Sequence, residues 1–152
     1  MLVSEILRVK GNALSLFTAT PDATAREAVR VMAQHDVGSL IVMHNGRMAG
    51  LMTFREILAS LGERDGSLGD LRVSDLMVKD PLTTDPHMDV MELRRIMLQH
   101  HARYVPVMDG TTLMGVVSFH DVAKAVYEEQ SFENRMLKGY IKNWPEEETP
   151  TA

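Results

Sequence analysis

Cysteine is absent from the 152 residues, which removes disulfides, thiolate metal sites and cysteine nucleophiles from consideration. Long apolar runs are absent too. No stretch approaches the ~18–20 apolar residues that span a bilayer, so no membrane partner is expected. A basic excess is also missing: 16 Lys+Arg against 21 Asp+Glu leave a formal net charge of −5. A duplex-binding protein usually carries a basic face, so nucleic acid is not an expected partner. A small anion is not excluded, because net charge does not fix the field inside a cleft. The N-terminus, MLVSEILRVKGNALSLF, carries Glu5, Arg8 and Lys10 and lacks an apolar signal core, which makes the cytoplasm the expected compartment.

What is present is ordinary in bulk and unusual in arrangement. An apolar fraction of 45% with 24% charged residues suits a soluble globular chain of about one domain, although two small halves would each be marginal alone. A shift of 65 residues aligns Met32–Ala59 with Met97–Lys124 without a gap. Seven of the 28 pairs are identical: Met32/Met97, Gln34/Gln99, His35/His100, Val42/Val107, Met43/Met108, Gly50/Gly115 and Phe54/Phe119. Unrelated segments of average composition would share roughly two. The same register places Pro21 on Pro86 and Thr18 on Thr83, whereas VSEIL (Val3–Leu7) matches VSDLM (Val73–Met77) at a shift of 70. The chain is an internal duplication, with an indel of five residues in the loop between the copies.

Each copy predicts the same elements. Thr24 opens a capping-box pattern with Glu27, and Ala25, Ala28, Val29 and Met32 follow at helical spacing. Val90, Leu93, Ile96 and Met97 repeat this in the second copy. A short apolar run follows, Val37–Met43 or Tyr104–Met108, then a hairpin signal at Asn45-Gly46 or Asp109-Gly110. The returning strand is Met48–Thr53 or Leu113–Ser118, and a second helix starts at once. A short strand is expected ahead of each unit, near Leu16–Thr18 and Leu82–Thr84. The helix after Asp121 should run through Tyr127. A further amphipathic segment, Ser131–Trp144, carries Phe132, Met136, Tyr140, Ile141 and Trp144 before Pro145 stops it. The tail PEEETPTA is expected to be disordered and its Glu146–Glu148 run solvated.

One element occurs twice and bears on chemistry: Gly50-Leu-Met-Thr53-Phe-Arg-Glu56 and Gly115-Val-Val-Ser118-Phe-His-Asp121. A hydroxyl at a strand end, beside the free N–H groups of a helix, makes a phosphate seat. An acid one turn on can accept hydrogen bonds from two ribose hydroxyls. The same spacing also makes a capping box, in which hydroxyl and acid satisfy backbone donors. Spacing alone favours the cap, since caps outnumber nucleotide sites.

The pattern VSDLM…PLTT…P…V…L…M…RYVPVMDGTTLMGVVSFHDV resembles the cystathionine-β-synthase (CBS) domain, two of which in tandem form a Bateman module. The likeness runs over about residues 3–126 and rests on Asp75-Leu76-Met77, Asp80-Pro81, Arg103-Tyr-Val-Pro106-Val107 and the motif ending in Asp121. It implies an α/β (α+β) fold of two βαββα repeats around a pseudo-twofold axis, plus a C-terminal helix. The corresponding boundaries are 1–61 and 71–127 for the repeats, 62–70 for the linker, 128–144 for the helix and 145–152 for the acidic tail. It further implies clefts for an adenosine-containing ligand: AMP, ADP, ATP, NAD or S-adenosylmethionine. By position, Asp121 would hold the ribose diol and Ser118 a phosphate. Tyr104, Val105 and Pro106 would line the adenine slot, Thr83 and Thr84 the near strand, and Arg103 or His120 would meet phosphate. In the first copy, Glu56 stands where Asp is usual, and Gly38-Ser39-Leu40-Ile41 lacks the Arg and Pro of the second. Thr53 and Glu56 therefore make a second, altered site, and the second cleft is expected to fill more readily.

Other residues are read structurally. Adjacent His100 and His101 point to different faces and are not expected to share a metal. Ser118, His120 and Asp121 lie too close along one helix start to align as a triad. The twelve methionines are assigned mostly to the core. No set of acid, base and nucleophile is visible, so the chain reads as a regulator and not an enzyme. Its alternative is a ligand-free scaffold that dimerises. In either case a homodimer, with the Phe132–Trp144 stripe across its interface, and an unknown protein partner are expected.

Overall fold

The computed structural model describes residues 1–11 and 16–142. Trp144 and the tail from Pro145, for which a helix end and disorder are expected, lie outside them. The chain is α+β. Helix α1 (Val3–Lys10) leads into the first copy, which runs β1 (Thr18–Ala19), α2 (Ala25–His35), β2 (Ser39–His44), β3 (Arg47–Thr53) and α3 (Phe54–Glu63). The short helix α4 (Val73–Leu76) leads into the second, with α5 (Val90–His100), β4 (Tyr104–Asp109), β5 (Thr112–Ser118) and α6 (Phe119–Lys142). Among these residues no helix is long and apolar enough to cross a membrane.

Both hairpins carry the same irregularity. The antiparallel register slips between Val42 and Met43 in β2–β3 and between Val107 and Met108 in β4–β5, which are 65-residue equivalents. The turns differ. His44 pairs with Arg47, leaving Asn45-Gly46 in the loop, both with positive φ (51° and 77°) as a type I′ turn requires. In the second hairpin Asp109 pairs with Thr112, so the loop is Gly110-Thr111 and not Asp109-Gly110. Of the two loop residues Gly110 alone has positive φ, 60°, the type II′ pattern, which needs glycine only at the first central position. Strand β1 pairs in parallel with β2, whereas its counterpart in the second copy shrinks to one parallel bridge between Thr84 and Val107.

The elements ahead of each copy change places. Val3 N–H donates to the Met88 carbonyl, Ser4 to Pro86, and Val90 to Met1. In the other half Val73 donates to Ala23, Ser74 to Pro21, and Ala25 to Leu71. Consequently Val3 and Ile6 of α1 are buried with Val90, Leu93, Val107, Val117 and Val122. Val73 of α4 is buried with Ala28, Leu40, Val42, Met52 and Ile57. Each core therefore needs a segment that lies next to the other copy in the chain. Full burial of each large apolar side chain contributes about 1.5–3 kcal/mol, so the two marginal halves stabilise each other.

Two expectations need correcting. The helix after Asp121 does run through Tyr127, but the segment from Ser131 is not separate from it: α6 is continuous for 24 residues. The methionines are also divided: Met32, Met52 and Met97 are buried, Met77 and Met88 pack against the cores, and Met1, Met91, Met114 and Met136 are exposed.

Candidate functional site

The repeated motifs sit where β3 turns into α3 and β5 turns into α6, and both cap their helices. Thr53 N–H donates to Glu56 Oε1 at 2.9 Å, and Arg55 N–H donates to Thr53 Oγ1 at 3.2 Å. The Thr53 hydroxyl itself lies 3.0 Å from Glu56 Oε1, so this motif closes on itself. In the second copy Ser118 N–H donates to Asp121 Oδ2 at 2.8 Å and Asp121 N–H donates to Ser118 Oγ at 3.0 Å. Aspartate is one methylene shorter than glutamate, and here only Oδ2 reaches back. Among the described residues, Asp121 Oδ1 is left without a partner.

A cleft of about 1320 Å³ opens beside the second motif. Ser118, His120, Asp121, Arg103 and Tyr104 line it, as expected for that copy. Its opposite wall comes from the first half: Leu16 and Phe17 ahead of β1, Val37–Ser39, Ile41 and Arg55. The end of α1 contributes Arg8, Lys10 and Gly11. Val105 and Pro106 do not line this cleft. They are buried in β4, Val105 within the second core. Thr83 is exposed and outside it, and Thr84 is buried with its hydroxyl 3.2 Å from Met88 Sδ. Thr53 and Glu56 lie outside it as well.

The physical reason is the crossed arrangement of the halves. The wall facing Ser118 is built by Phe17 and Ile41, whose 65-residue counterparts are Leu82 and Pro106. Of the residues expected in the slot, Tyr104 lines it itself and Pro106 is replaced there by its counterpart Ile41, while the counterparts of Val105, Thr83 and Thr84 do not line it. The Phe17 ring is held by stacking on His35, with centroids 4.1 Å apart.

The halves meet at the cleft through the residues after each motif and strand. Arg55 donates to the His101 carbonyl at 2.9 Å, the Arg103 guanidinium lies 5.3 Å from the Phe54 ring centroid, and Phe54 meets Tyr104 edge-on. Burial pushes the Tyr104 phenol up, with Arg103 opposing and Asp121 adding to the rise. His101 forms the left-handed cap of α5, φ 53°. Among the described residues no cluster of three metal-ligating side chains occurs.

Lys10 was not anticipated. Its Nζ lies 2.8 Å from Asp121 Oδ2 and donates to the Val116 carbonyl at 2.9 Å. Burial alone would raise the Asp121 carboxyl. The Lys10 ammonium and the Ser118 hydrogen bonds outweigh it and hold the group below the usual carboxylate range. Around this pair the lining is cationic: Arg8, Lys10, Arg55 and Arg103 against Asp36 and Asp121, in a chain whose net charge is −5.

The CBS domain family model matches residues 4–63 and 73–128. The chain belongs to the CBS-domain family. It is 31% identical over 147 residues to the mitochondrial CBS domain-containing protein CBSX3 of Arabidopsis thaliana, covering 92% of this chain and 71% of that one. It resembles the structure of a putative signal-transduction protein with CBS domains from Burkholderia ambifaria MC40-6, with TM-score 0.79 and 27% identity over 86% of this chain and 96% of that one. The fold is shared, at TM-score 0.66 and 22% identity, with CBSX2 solved in complex with AMP, over 76% of this chain and 90% of that one.

Proposed function

We propose that this CBS pair is a regulatory sensor that binds an adenosine nucleotide in the cleft beside Ser118 and Asp121 and signals through a partner or through self-association. The observation that carries this reading is the pairing of an aspartate, with one carboxylate oxygen unpartnered, and a cationic lining in one cleft. A carboxylate of this kind suits two neighbouring ribose hydroxyls, and the arginines suit a phosphate. The AMP complex of CBSX2 supports the idea that this fold accommodates the ligand class. The cleft of the Ser118 motif is the one used, because Ser118 and Asp121 line it, whereas Thr53 and Glu56 lie outside it and close on each other. The chain works without catalysis. A ligand touching both halves favours one relative arrangement through its differential affinity.

The test is a thermal-shift panel of AMP, ADP, ATP, NAD, S-adenosylmethionine and GMP on the wild type and on Asp121→Asn. A ligand at 100 times its Kd that binds only the folded state stabilises by about 2.7 kcal/mol, a shift of a few degrees for this size. A shift that vanishes in the variant supports the sensor. No shift with any ligand rejects it.

A second reading is favoured by α6. Phe132, Met136, Leu137, Tyr140 and Ile141 are each 58–68% exposed on its last turns, which suits a homodimerising scaffold whose motifs serve only as caps. In that case Asp121→Asn leaves self-association and partner binding intact.

A further inference from the structure

The ion pair of Lys10 occupies one oxygen, Oδ2, of the carboxylate that the preceding reading gives to a ribose diol. Lys10 reaches it because α1 stays helical as far as Lys10 and ends at Gly11, φ 67°. The other half is built differently. Helix α4 ends at Leu76, and Val78 then closes the edge of β3 with two backbone hydrogen bonds to Leu51, at 2.9 and 2.8 Å. The counterpart of Leu51 is Val116, whose carbonyl accepts the Lys10 ammonium instead. The counterpart of Lys10, 70 residues on, is Asp80. A cation at the diol seat is thus a feature of one half alone.

The anchor of Lys10 is rigid and its side chain is not. Val3 and Ile6 are buried in the second core, and Leu7 packs so close to Gly115 that an added β-carbon there would lie 2.9 Å from Leu7 Cδ2. Only the four-carbon stem can swing. A diol that donates to both oxygens of Asp121 takes the free Oδ1 and competes with the ammonium for Oδ2, and the displaced charge then holds only the Val116 carbonyl. A half-buried ammonium without a counter-charge is costly. The rest of the lining offers it little: Arg8, Arg55 and Arg103 repel it, and Asp36 is the one other lining carboxylate among the described residues. A phosphate on the incoming ligand supplies the missing anion.

We propose that Lys10 is the specificity-determining residue of this cleft, an internal occupant of the diol seat that admits adenosine phosphates and excludes the uncharged nucleoside. The proposal rests on the adenosine reading of the cleft. In the ligand-free protein Lys10 neutralises Asp121. In the complex it moves to the phosphate, so the nucleotide replaces one ion pair by another, whereas adenosine breaks the first and provides no second.

The experiment is calorimetric titration of adenosine, AMP and ATP into the full chain as wild type, Lys10→Met and Lys10→Gln, at one ionic strength. Both substitutions remove the charge. The glutamine keeps a donor for Val116, so a packing fault in the methionine variant is recognised by its absence in the other. Wild type should prefer AMP or ATP to adenosine. Both variants should bind adenosine more tightly than wild type does, and the preference for phosphate should narrow by about tenfold or more, the worth of one charge-assisted hydrogen bond. Phosphate binding by wild type with an unchanged preference in both variants overturns the role of Lys10 and leaves the nucleotide reading standing. Binding of none of the three ligands to any protein overturns both.

Discussion

Tyr104 of the second copy rests its ring on Gly38 of the first, so closely that a β-carbon at Gly38 would collide with the tyrosine hydroxyl. The contact fixes how near the two halves stand at the cleft. The ring has little room to retreat, because Phe54 meets it edge-on with centroids 6.3 Å apart and the Arg103 side chain covers Phe54. Gly38→Ala should therefore destabilise the protein by about 1–3 kcal/mol, the usual cost of forcing extra volume into a packed contact. Chemical denaturation of Gly38→Ala, Tyr104→Ala and the double variant measures it. The double variant should recover most of the loss. Strict additivity would mean that the two residues do not press on each other.

The exchange of leading segments predicts cooperative unfolding. Ile6 is 4% exposed and packs among second-copy residues, although it precedes the first copy in the chain. Ile6→Ala should cost about 2–5 kcal/mol and still unfold in one transition, because loosening α1 loosens the core that α4's partner half leans on. Circular dichroism at 222 nm and tyrosine or tryptophan fluorescence should give coincident denaturation curves. Two separated transitions would show that the halves are independent despite the exchange.

The duplication, the order of elements and the helix caps were legible in the sequence because periodicity and turn residues are local. Thr24 does accept from Glu27 N–H at 3.1 Å, and the strand ends fall within two residues of expectation. What local pattern does not encode is which copy faces which. The family resemblance therefore points to Tyr104–Pro106 for the slot beside Asp121, although only Tyr104 of these lines it and the first copy supplies Phe17 and Ile41. Lys10 was invisible for the same reason: 111 residues separate it from Asp121, and a lysine ending a helix reads as a partner of the helix dipole. The hairpin at Gly110-Thr111 was misplaced by one residue because Asp-Gly is the stronger local signal, while register is set by the paired strands.

Acid sensitivity should trace to Asp121. Its folded-state pKa lies below the ordinary carboxylate value, so in acid the unfolded chain binds the proton more readily than the folded one. The stabilisation is complete above about pH 5 and is lost as pH falls through the unfolded value, near 3.9, towards the folded one. Denaturation midpoints between about pH 6 and pH 2.5 should fall less steeply for Asp121→Asn than for wild type. Lys10→Met should flatten the profile in the same direction, since it removes a cause of the depression. A pH profile identical in all three proteins would rule out the ion pair as a source of acid sensitivity.

The last turns of α6 carry a prediction about assembly. Phe132, Met136 and Tyr140 recur every four residues with Leu137 and Ile141 alongside, and all are more than half exposed. Five large apolar side chains on one helix face are costly in water, and a second copy buries them symmetrically if two α6 helices pair across a twofold axis. Phe132→Glu with Met136→Glu should convert a dimer to a monomer in analytical ultracentrifugation. It should leave the intramolecular cores folded, because neither residue packs in them. Truncation after Gln130 should do the same, while adenosine-nucleotide binding survives in both, since the Asp121 cleft includes none of these residues. A dimer that persists through the double glutamate variant would place the interface elsewhere and leave the stripe for a different partner.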